Sequence, residues 1–314
     1  MMEIFKVLDT GPLATIQDLG RFGFQQFGVP VSGALDKFSL RAANLLVGNR
    51  QEAAVIEMTF AGLKLEALAE IDAALTGAQM PLEINGRKAP SWTSFTLKRG
   101  DTVTIKPALS GLRGYLAATG GFDVPLVMNS RSTYFGGKIG GFHGRPLMRG
   151  DILQGFEVSP IRRTRSIPKE KQPVLPKELE LRAIPGPQDD FFEEGKTIFF
   201  TTEFKVSAKA DRMGYRLTGD VIPIKSGMPG SIISEPSLPG AVQIPADGQP
   251  IILLVEQTVG GYAKIATVIS ADVDSIAQAR PGYMIRFRET DLQTAHKAAL
   301  GRRQLLEEIQ KIFA

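Results

Sequence analysis

The chain has 314 residues, of which 43% are hydrophobic and 22% charged, so it is long enough for two folded domains and lacks the composition of a disordered protein. Its 37 basic and 33 acidic residues leave a formal net charge of +4, too small an excess to indicate nucleic-acid binding. The absence of cysteine excludes disulfides, thiol nucleophiles and Cys-ligated metals. The two histidines, His143 and His296, lie too far apart in sequence to form a metal-binding motif, and no metal site is predicted.

The N-terminal segment MMEIFKVLD carries an acidic residue, Glu3, and no apolar run. The longest purely aliphatic stretch of the chain is residues 251–255, whereas a membrane-spanning helix needs about 20 apolar residues. The sequence therefore predicts neither a signal peptide nor contact with a membrane, and it favours a cytoplasmic location.

The predicted elements are mostly short strands between glycine turns, because 33 Gly and 20 Pro exceed the usual share of these residues. Asp36 is predicted to cap a helix that ends near Val47. Asn85-Gly86 predicts a type I′ hairpin turn, and strands are predicted over 94–97 and 102–105. A capping box from Thr290 to Gln293 predicts a C-terminal helix. The predicted apolar face of that helix comprises Leu292, Ala295, Ala299, Leu306, Ile309 and Phe313.

Several motifs occur twice in the same order. Arg21-Phe22-Gly23-Phe24 and Ser32-Gly33 correspond to Arg212-Met213-Gly214-Tyr215 and Ser226-Gly227, at offsets of 191 and 194 residues. Glu57 with Gly62 and Arg99-Gly100 correspond in the same way to Glu235 with Gly240 and Pro281-Gly282. These matches predict a duplicated β unit. The predicted organisation is a first β domain with a Gly-rich insert over 1–160, a linker over 161–177, and a second β domain with the C-terminal helix over 178–314.

The Gly-rich insert is a candidate anion site. Six glycines fall between positions 136 and 150, interspersed with basic residues and preceded by two hydroxyl side chains. Backbone amides without Cβ hindrance can converge on a phosphate or carboxylate. The alternative is a mobile solvent loop. The predicted anion-binding residues are Arg131, Ser132, Thr133 and Arg145.

Two familiar catalytic motifs are absent. Gly195-Lys196-Thr197 is not a Walker A loop, because Asp190 occupies the position of the first glycine and residues 198–200 are predicted as a strand where a helix is required. The sequence has no Gly-x-Ser-x-Gly elbow, and a Ser-His-Asp triad is not predicted from its two histidines.

A second cluster, Asp211-Arg212-Met213-Gly214-Tyr215-Arg216, combines a carboxylate, two guanidinium groups and a phenol. These groups can bind a polar substrate, or Asp211 can pair with Arg212 or Arg216 in a structural role. We take Asp211, Arg212 and Tyr215 as catalytic candidates.

A third cluster follows the aliphatic strand 251–255, which ends abruptly in polar residues and a Gly-Gly turn. Polar side chains at the mouth of a barrel are a common site architecture, and a turn with satisfied hydrogen bonds is the alternative. The candidate binding residues of this cluster are Glu235, Gln243, Gln257, Thr258 and Tyr262.

Several of these motifs together resemble the KipA family. The resemblance covers residues 4–288 and is carried by Thr15 to Gly23, Gly28 to Asp36, Ala43 to Asn49, Ser130 to Thr133, Gly144 to Asp151, Asp211 to Leu217 and Gly260 to Tyr262. The family is also described as the C component of the multi-subunit prokaryotic 5-oxoprolinase, as allophanate hydrolase subunit 2, and as half of the biotin-dependent carboxyltransferase domain of urea carboxylase.

The resemblance implies a mainly β fold with two related cyclophilin-like β-barrel domains. It also implies two partners, a KipI-type B component and a LamB/YcsF-type A component, with ATP and Mg²⁺ used by the complex to open 5-oxo-L-proline to L-glutamate. Phosphorylating the lactam oxygen would activate an amide that resonance protects, so the complex must supply cations and hydrogen-bond donors. Arg131, Ser132, Thr133 and Arg145 would bind the anion, and Asp211, Arg212, Tyr215, Gln257, Thr258 and Tyr262 would form a polar pocket.

Two alternatives stay open at this point. The chain could sequester a KipI-type inhibitor without any chemistry of its own. It could instead transfer a carboxyl group from biotin as half of a carboxyltransferase of the urea carboxylase or allophanate type.

Overall fold

The computed structural model describes residues 1–158 and 160–313, of which 33% are in strands and 18% in helices. The chain forms two compact units, unit 1 (residues 1–22, 32–175 and 304–314) and unit 2 (residues 23–31 and 176–303). The predicted mainly β fold with a few short helices and a C-terminal helix is confirmed. The predicted domain boundaries at 160 and 178 stay a prediction.

Unit 1 contains two sheets. The strands are β1 (Met2–Asp9), β2 (Leu13–Gln17), β3 (Val55–Thr59), β4 (Lys64–Ala67), β5 (Ile71–Gln79), β6 (Leu82–Ile84), β7 (Arg87–Ala89), β8 (Ser94–Leu97), β9 (Thr102–Ile105), β10 (Ser110–Ala118) and β11 (Ile152–Gly155). One sheet has the order β11-β1-β4-β9-β6-β7 and the other β2-β3-β10-β5-β8. The predicted strands 94–97 and 102–105 are confirmed, and they lie in different sheets.

Burial in these sheets follows the two-residue period of a strand. Val103 and Ile105 of β9 are buried, and Thr102 and Thr104, which alternate with them, are partly exposed. β5 is instead buried along almost its whole length, because it pairs with neighbours on both sides and helix α1 (Lys37–Leu46) packs on it.

The local signals at α1 and at the hairpin are confirmed. The Asp36 side chain caps α1, accepting hydrogen bonds from the Ser39 N–H at 2.9 Å and the Ser39 hydroxyl at 2.7 Å. Asn85 and Gly86 have φ values of 51° and 77°, as a type I′ turn requires, and they join β6 to β7.

Unit 2 is built on a closed seven-stranded barrel of order β12-β19-β16-β17-β14-β13-β20. Two further short strands, β15 and β18, pair with each other outside it. The strands are β12 (Glu178–Pro185), β13 (Glu203–Val206), β14 (Gly214–Thr218), β15 (Glu235–Pro236), β16 (Ala241–Gln243), β17 (Ile251–Leu253), β18 (Val259–Gly260), β19 (Lys264–Val268) and β20 (Met284–Glu289).

The later helices are α2 (Glu193–Thr201), α3 (Ser270–Ile276) and α4 (Leu292–Ile312). The strand predicted at 198–200 is wrong, since these residues belong to α2. Phe199 is fully buried and stacks on Phe287 of β20 with ring centroids 4.2 Å apart. Packing of this aromatic side chain on the barrel therefore overrides the strand propensity of the Ile-Phe-Phe run.

The C-terminal helix α4 differs from its prediction in two ways. Its cap is Asp291, one residue after the predicted Thr290, and the Asp291 carboxylate accepts a 2.7 Å hydrogen bond from the Thr294 N–H. Leu306 and Ile309 are buried in the core cluster that contains α1, whereas Leu292 is 61% exposed. The predicted apolar face is thus buried only in the C-terminal half of the helix.

Much of the predicted linker packs on unit 1. Ile167 is buried in the same cluster as α1, and the Arg165 guanidinium donates hydrogen bonds to the Leu45 and Phe313 carbonyl oxygens at 3.1 and 3.2 Å. None of the helices in the described ranges combines the length and apolar character of a membrane-spanning segment.

The two units share backbone features at matched positions. Gly33 and Gly227 have φ values of 83° and 87°, and Gly100 and Gly282 have values of 90° and 91°, a region that favours glycine. Gly100 precedes β9 and Gly282 precedes β20. These equivalences support the duplication predicted from the repeated motifs.

Candidate functional site

The segment around Arg131 is tied to the end of β2 through Asp18. The Ser130 and Ser132 hydroxyls and the Gly20 N–H donate to Oδ1 of Asp18, and the Arg131 N–H donates to Oδ2 at 2.6 Å. The Ser132 hydroxyl also accepts a hydrogen bond from the Asp18 N–H at 2.9 Å. Residues 130–133 are therefore packed into unit 1 and do not form a solvent loop.

Thr133 is engaged in the same way. Its N–H and its hydroxyl both donate to the Ile16 carbonyl oxygen, at 2.9 and 3.0 Å, and the Gln17 side-chain amide donates to its carbonyl oxygen at 3.1 Å. The hydroxyls of Ser132 and Thr133 thus bind groups of the chain itself. Their predicted role in binding an anion stays a prediction.

Arg145 forms a bidentate ion pair with Asp151. Its two terminal nitrogens donate to the two carboxylate oxygens, each at 2.8 Å, and Nη1 also donates to the Pro146 carbonyl oxygen. Burial raises the pKa of Asp151, but hydrogen bonds from Arg145 and from the Met148 N–H outweigh it, so the net pKa lies below its usual value. The hydrogen bonds to Asp151 raise the pKa of Arg145. An anion bound by Arg145 would therefore compete with Asp151.

Arg131 is the member of the predicted anion-binding set with hydrogen-bonding capacity left over. Its guanidinium lies over the Phe156 ring, 5.2 Å from the centroid. Its Nε is buried and has no hydrogen-bond partner among the described residues. The sequence did not single out Asp18 or Phe156, because their roles depend on contacts with segments that no local pattern links. Asp151 lies only six residues from Arg145, and a search for oppositely charged neighbours could have found it.

In unit 2, the predicted catalytic residues occupy three different environments. Nε of Arg212 donates to Oε1 of Glu256 at 2.6 Å, and both side chains are 9% exposed. Asp211 is exposed and accepts hydrogen bonds from the Met213 and Gly214 N–H groups, which hold a turn. Tyr215 is fully buried on β14, opposite Ile252 of β17. Arg212 therefore pairs with Glu256 and Asp211 holds the turn.

Glu235 and Gln243 of the third cluster lie close together. Oε1 of Glu235 accepts hydrogen bonds from Lys264 at 2.8 Å and from the Gln188 side chain at 3.1 Å. The Lys264 hydrogen bond lowers the pKa of Glu235. Gln243 pairs with Lys264 between β16 and β19. Its Oε1 is buried and unpartnered among the described residues, facing Gly260, where a Cβ would lie 3.0 Å from it.

The turn after Val255 is held by a hydrogen bond within the turn and by another from Ser237. The Gln257 side chain donates to the Val259 carbonyl oxygen, and the Thr258 carbonyl oxygen accepts from the Ser237 N–H at 3.0 Å. Tyr262 is 39% exposed. The structure thus places Gln257 and Thr258 in a structured turn, and their predicted binding roles stay predictions.

Two features of the described residues bear on the predicted use of ATP and Mg²⁺. No group of three or more His, Asp or Glu side chains within 1–158 and 160–313 is arranged to hold a metal. Gly195 lies inside α2 and not in a loop before it. The use of ATP and Mg²⁺ by the complex stays a prediction.

The carboxyltransferase domain family, subdomain A and B, matches residues 27–289 of the chain. The chain belongs to this family, and the predicted resemblance to the C component of 5-oxoprolinase is confirmed.

The chain is similar to three known proteins over nearly its whole length. The chain is 38% identical to the C component of the Escherichia coli 5-oxoprolinase and 35% identical to that of Haemophilus influenzae, each over 98% of this chain and 97% of the relative. The solved structure of K. lactis urea amidolyase superposes with a TM-score of 0.93 at 28% identity over 98% of the chain. The chain spans only 20% of that larger protein.

Proposed function

We propose that the chain is the C component of a multi-subunit, ATP-dependent 5-oxoprolinase that opens 5-oxo-L-proline to L-glutamate. The observation that carries the proposal is the match, along 97–98% of both chains, to two relatives named as this 5-oxoprolinase component. Because each of those relatives is named as one part of a larger enzyme, the chain acts within an enzyme complex. Its partners would be a KipI-type B component and a LamB/YcsF-type A component.

The overall reaction hydrolyses the lactam C–N bond and converts ATP to ADP and phosphate. Resonance protects the lactam carbonyl, and transfer of a phosphoryl group to its oxygen makes the carbon a better target for water. The complex supplies ATP and Mg²⁺. Unit 1 would contribute a cation for anion binding, Arg131, whose guanidinium lies over the Phe156 ring. The polar groups of unit 2, including Glu235, Gln243 and Tyr262, would contact the substrate or a partner protein.

The proposal is tested by mixing the purified chain with its KipI-type and LamB/YcsF-type partners, with and without 5-oxoproline, and by measuring ADP and glutamate in the same samples. Coupled formation of both products, lost when this chain is omitted, supports the proposal. A stable complex without turnover that depends on 5-oxoproline overturns it and favours a regulator that binds a KipI-type protein.

One observation favours carboxyl transfer from biotin as a second candidate, namely the TM-score of 0.93 with K. lactis urea amidolyase. Copurification with a biotin-accepting protein, together with carboxyl transfer from carboxybiotin in the absence of 5-oxoproline, would favour this candidate. The full-length matches to 5-oxoprolinase components favour the lactam reaction.

A further inference from the structure

A cavity of about 300 Å³ opens beside Arg131 within unit 1. Charged and aromatic side chains lie around it, together with two alanines and the Gly120-Gly121 turn. The charged and aromatic side chains are Asp18, Arg50, Glu52, Phe122, Arg131 and Phe156.

Most of the charged groups around this cavity are already engaged within the chain. Both oxygens of the Asp18 carboxylate accept hydrogen bonds from the chain, three at Oδ1 and one at Oδ2. Arg50 pairs with Glu52 at the exposed rim, Nε to Oε1 at 2.6 Å. Arg131 forms no salt bridge with another described residue, and its buried Nε has no hydrogen-bond partner among them. The formal charges of Asp18, Arg50, Glu52 and Arg131 sum to zero, and Arg131 is the cation among them whose guanidinium is paired with no carboxylate of the described residues.

The Arg131 side chain is held in position before any ligand binds. Its backbone N–H donates to Asp18 Oδ2 at 2.6 Å, which fixes the start of the side chain. The Phe156 ring lies 5.2 Å from the guanidinium carbon and supports the planar group. Because Nε is buried from solvent, a ligand reaches the guanidinium at its two terminal nitrogens, which can bind a carboxylate through two parallel hydrogen bonds.

The remaining walls limit the size and polarity of the ligand. Phe122, Phe156, Ala53 and Ala54 give the cavity an apolar lining. Pockets for drug-sized ligands range from about 300 to 1,000 Å³, so a cavity of this size suits a compact molecule.

We propose that this cavity binds a small carboxylic acid with a compact, largely apolar body, and that Arg131 binds its carboxylate through its two terminal nitrogens. Identifying this acid as 5-oxoproline, a single five-membered ring with one carboxylate, rests on the proposed function. Arg131 is then a substrate-binding residue, and the neighbouring Ser132, Thr133 and Arg145 are not part of the carboxylate site.

Calorimetric titration of the full chain tests the proposal with four probes. These are 5-oxo-L-proline, tetrahydrofuran-2-carboxylate with a carboxylate but no lactam, 2-pyrrolidinone with the lactam but no carboxylate, and inorganic phosphate. The variants are Arg131→Gln, Arg131→Lys, which keeps the charge, and Arg149→Gln, which removes an exposed arginine of the same insert as a matched control. Thermal unfolding verifies that each variant is folded.

We expect the wild type to bind both carboxylates and to bind 2-pyrrolidinone far more weakly. Arg131→Gln should raise the Kd of 5-oxoproline by about 10- to 100-fold, because a hydrogen-bonded charge is lost. Arg131→Lys should give an intermediate Kd, since an ammonium lacks the bidentate geometry. Arg149→Gln should match the wild type.

Three results overturn the proposal: no binding of either carboxylate, equal binding by the wild type and Arg131→Gln, or tighter binding of phosphate than of the carboxylates. Binding of tetrahydrofuran-2-carboxylate but not 5-oxoproline, lost in Arg131→Gln, supports the carboxylate site and overturns its assignment to 5-oxoproline. A reconstituted complex in which Arg131→Gln leaves the KM for 5-oxoproline unchanged overturns the site and leaves the proposed function intact.

Discussion

Nε of Arg212 lies 2.6 Å from Oε1 of Glu256, and the two side chains form an ion pair that is nine-tenths buried. The residues are 44 positions apart in sequence, and the pair joins the turn before β14 to the turn after β17. Removing the counterion of a buried charge lowers the stability of the fold far more than removing an exposed ion pair does.

Arg212→Met should therefore destabilise the chain by about 3 kcal/mol, because Glu256 is left buried without its counterion. Urea denaturation measures the change. The double variant Arg212→Met/Glu256→Leu is the control and should recover much of the loss. Equal losses in the single and double variants would contradict a stabilising role for the pair.

Arg145→Met should lower the free energy of unfolding, because Asp151 loses its bidentate partner. The side chain of that partner is two-thirds buried. We expect a loss of about 1 to 2 kcal/mol at pH 7. The pKa of Asp151 is lowered in the folded chain, so the contribution of the pair is complete above the unfolded pKa of the aspartate and is lost as pH falls through the folded value. Denaturation at pH 7 and at low pH measures this. A difference between wild type and variant that does not shrink in acid would rule the mechanism out.

Asp36→Ala should shorten or destabilise α1, at a cost of about 1 to 2 kcal/mol, because the buried carboxylate caps the helix at Ser39. Asp291→Ala is the matched control, since Asp291 caps α4 in full contact with solvent. Thermal unfolding should show a clearly larger drop in Tm for Asp36→Ala. Equal drops would show that burial does not strengthen the cap.

Tyr115 should resist ionisation until the chain unfolds. Burial first, and then the nearby charges of Glu57 and Asp36, raise its pKa well above the usual value, and its hydroxyl donates to Glu57 at 2.9 Å. A raised pKa means that its contribution to stability is present below the unfolded pKa and is lost as pH rises through the folded value. Ultraviolet titration of wild type and Tyr115→Phe measures this. Reversible ionisation of all five tyrosines of the folded wild type at moderately alkaline pH would contradict the prediction.

The features that sequence analysis predicted correctly are those that a few adjacent residues determine. The Asp36 cap and the Asn85-Gly86 turn depend on hydrogen bonds and φ values within a few positions. The repeated glycines also mark equivalent turns in the two units. Local chemistry of this kind is readable without knowledge of the fold.

The features that were missed depend on tertiary contacts. Residues 198–200 form part of a helix because Phe199 packs on Phe287, nearly 90 positions later. Leu292 is exposed because only the far end of α4 reaches the core. The candidate site shows the same limit, since the partners of Ser132 and Arg212 are Asp18 and Glu256, 114 and 44 positions away. The sequence located the polar clusters, but it could not show which of their groups are paired within the folded chain.

The measurement that tests the account most directly is glutamate formation by the reconstituted three-protein mixture with ATP and 5-oxoproline, with this chain present or omitted. The account predicts glutamate and ADP in coupled amounts when the chain is present, and neither product above background when it is omitted. Glutamate formation at the same rate without the chain, or none in the complete mixture despite a stable complex, would contradict the assignment of this chain as a 5-oxoprolinase component.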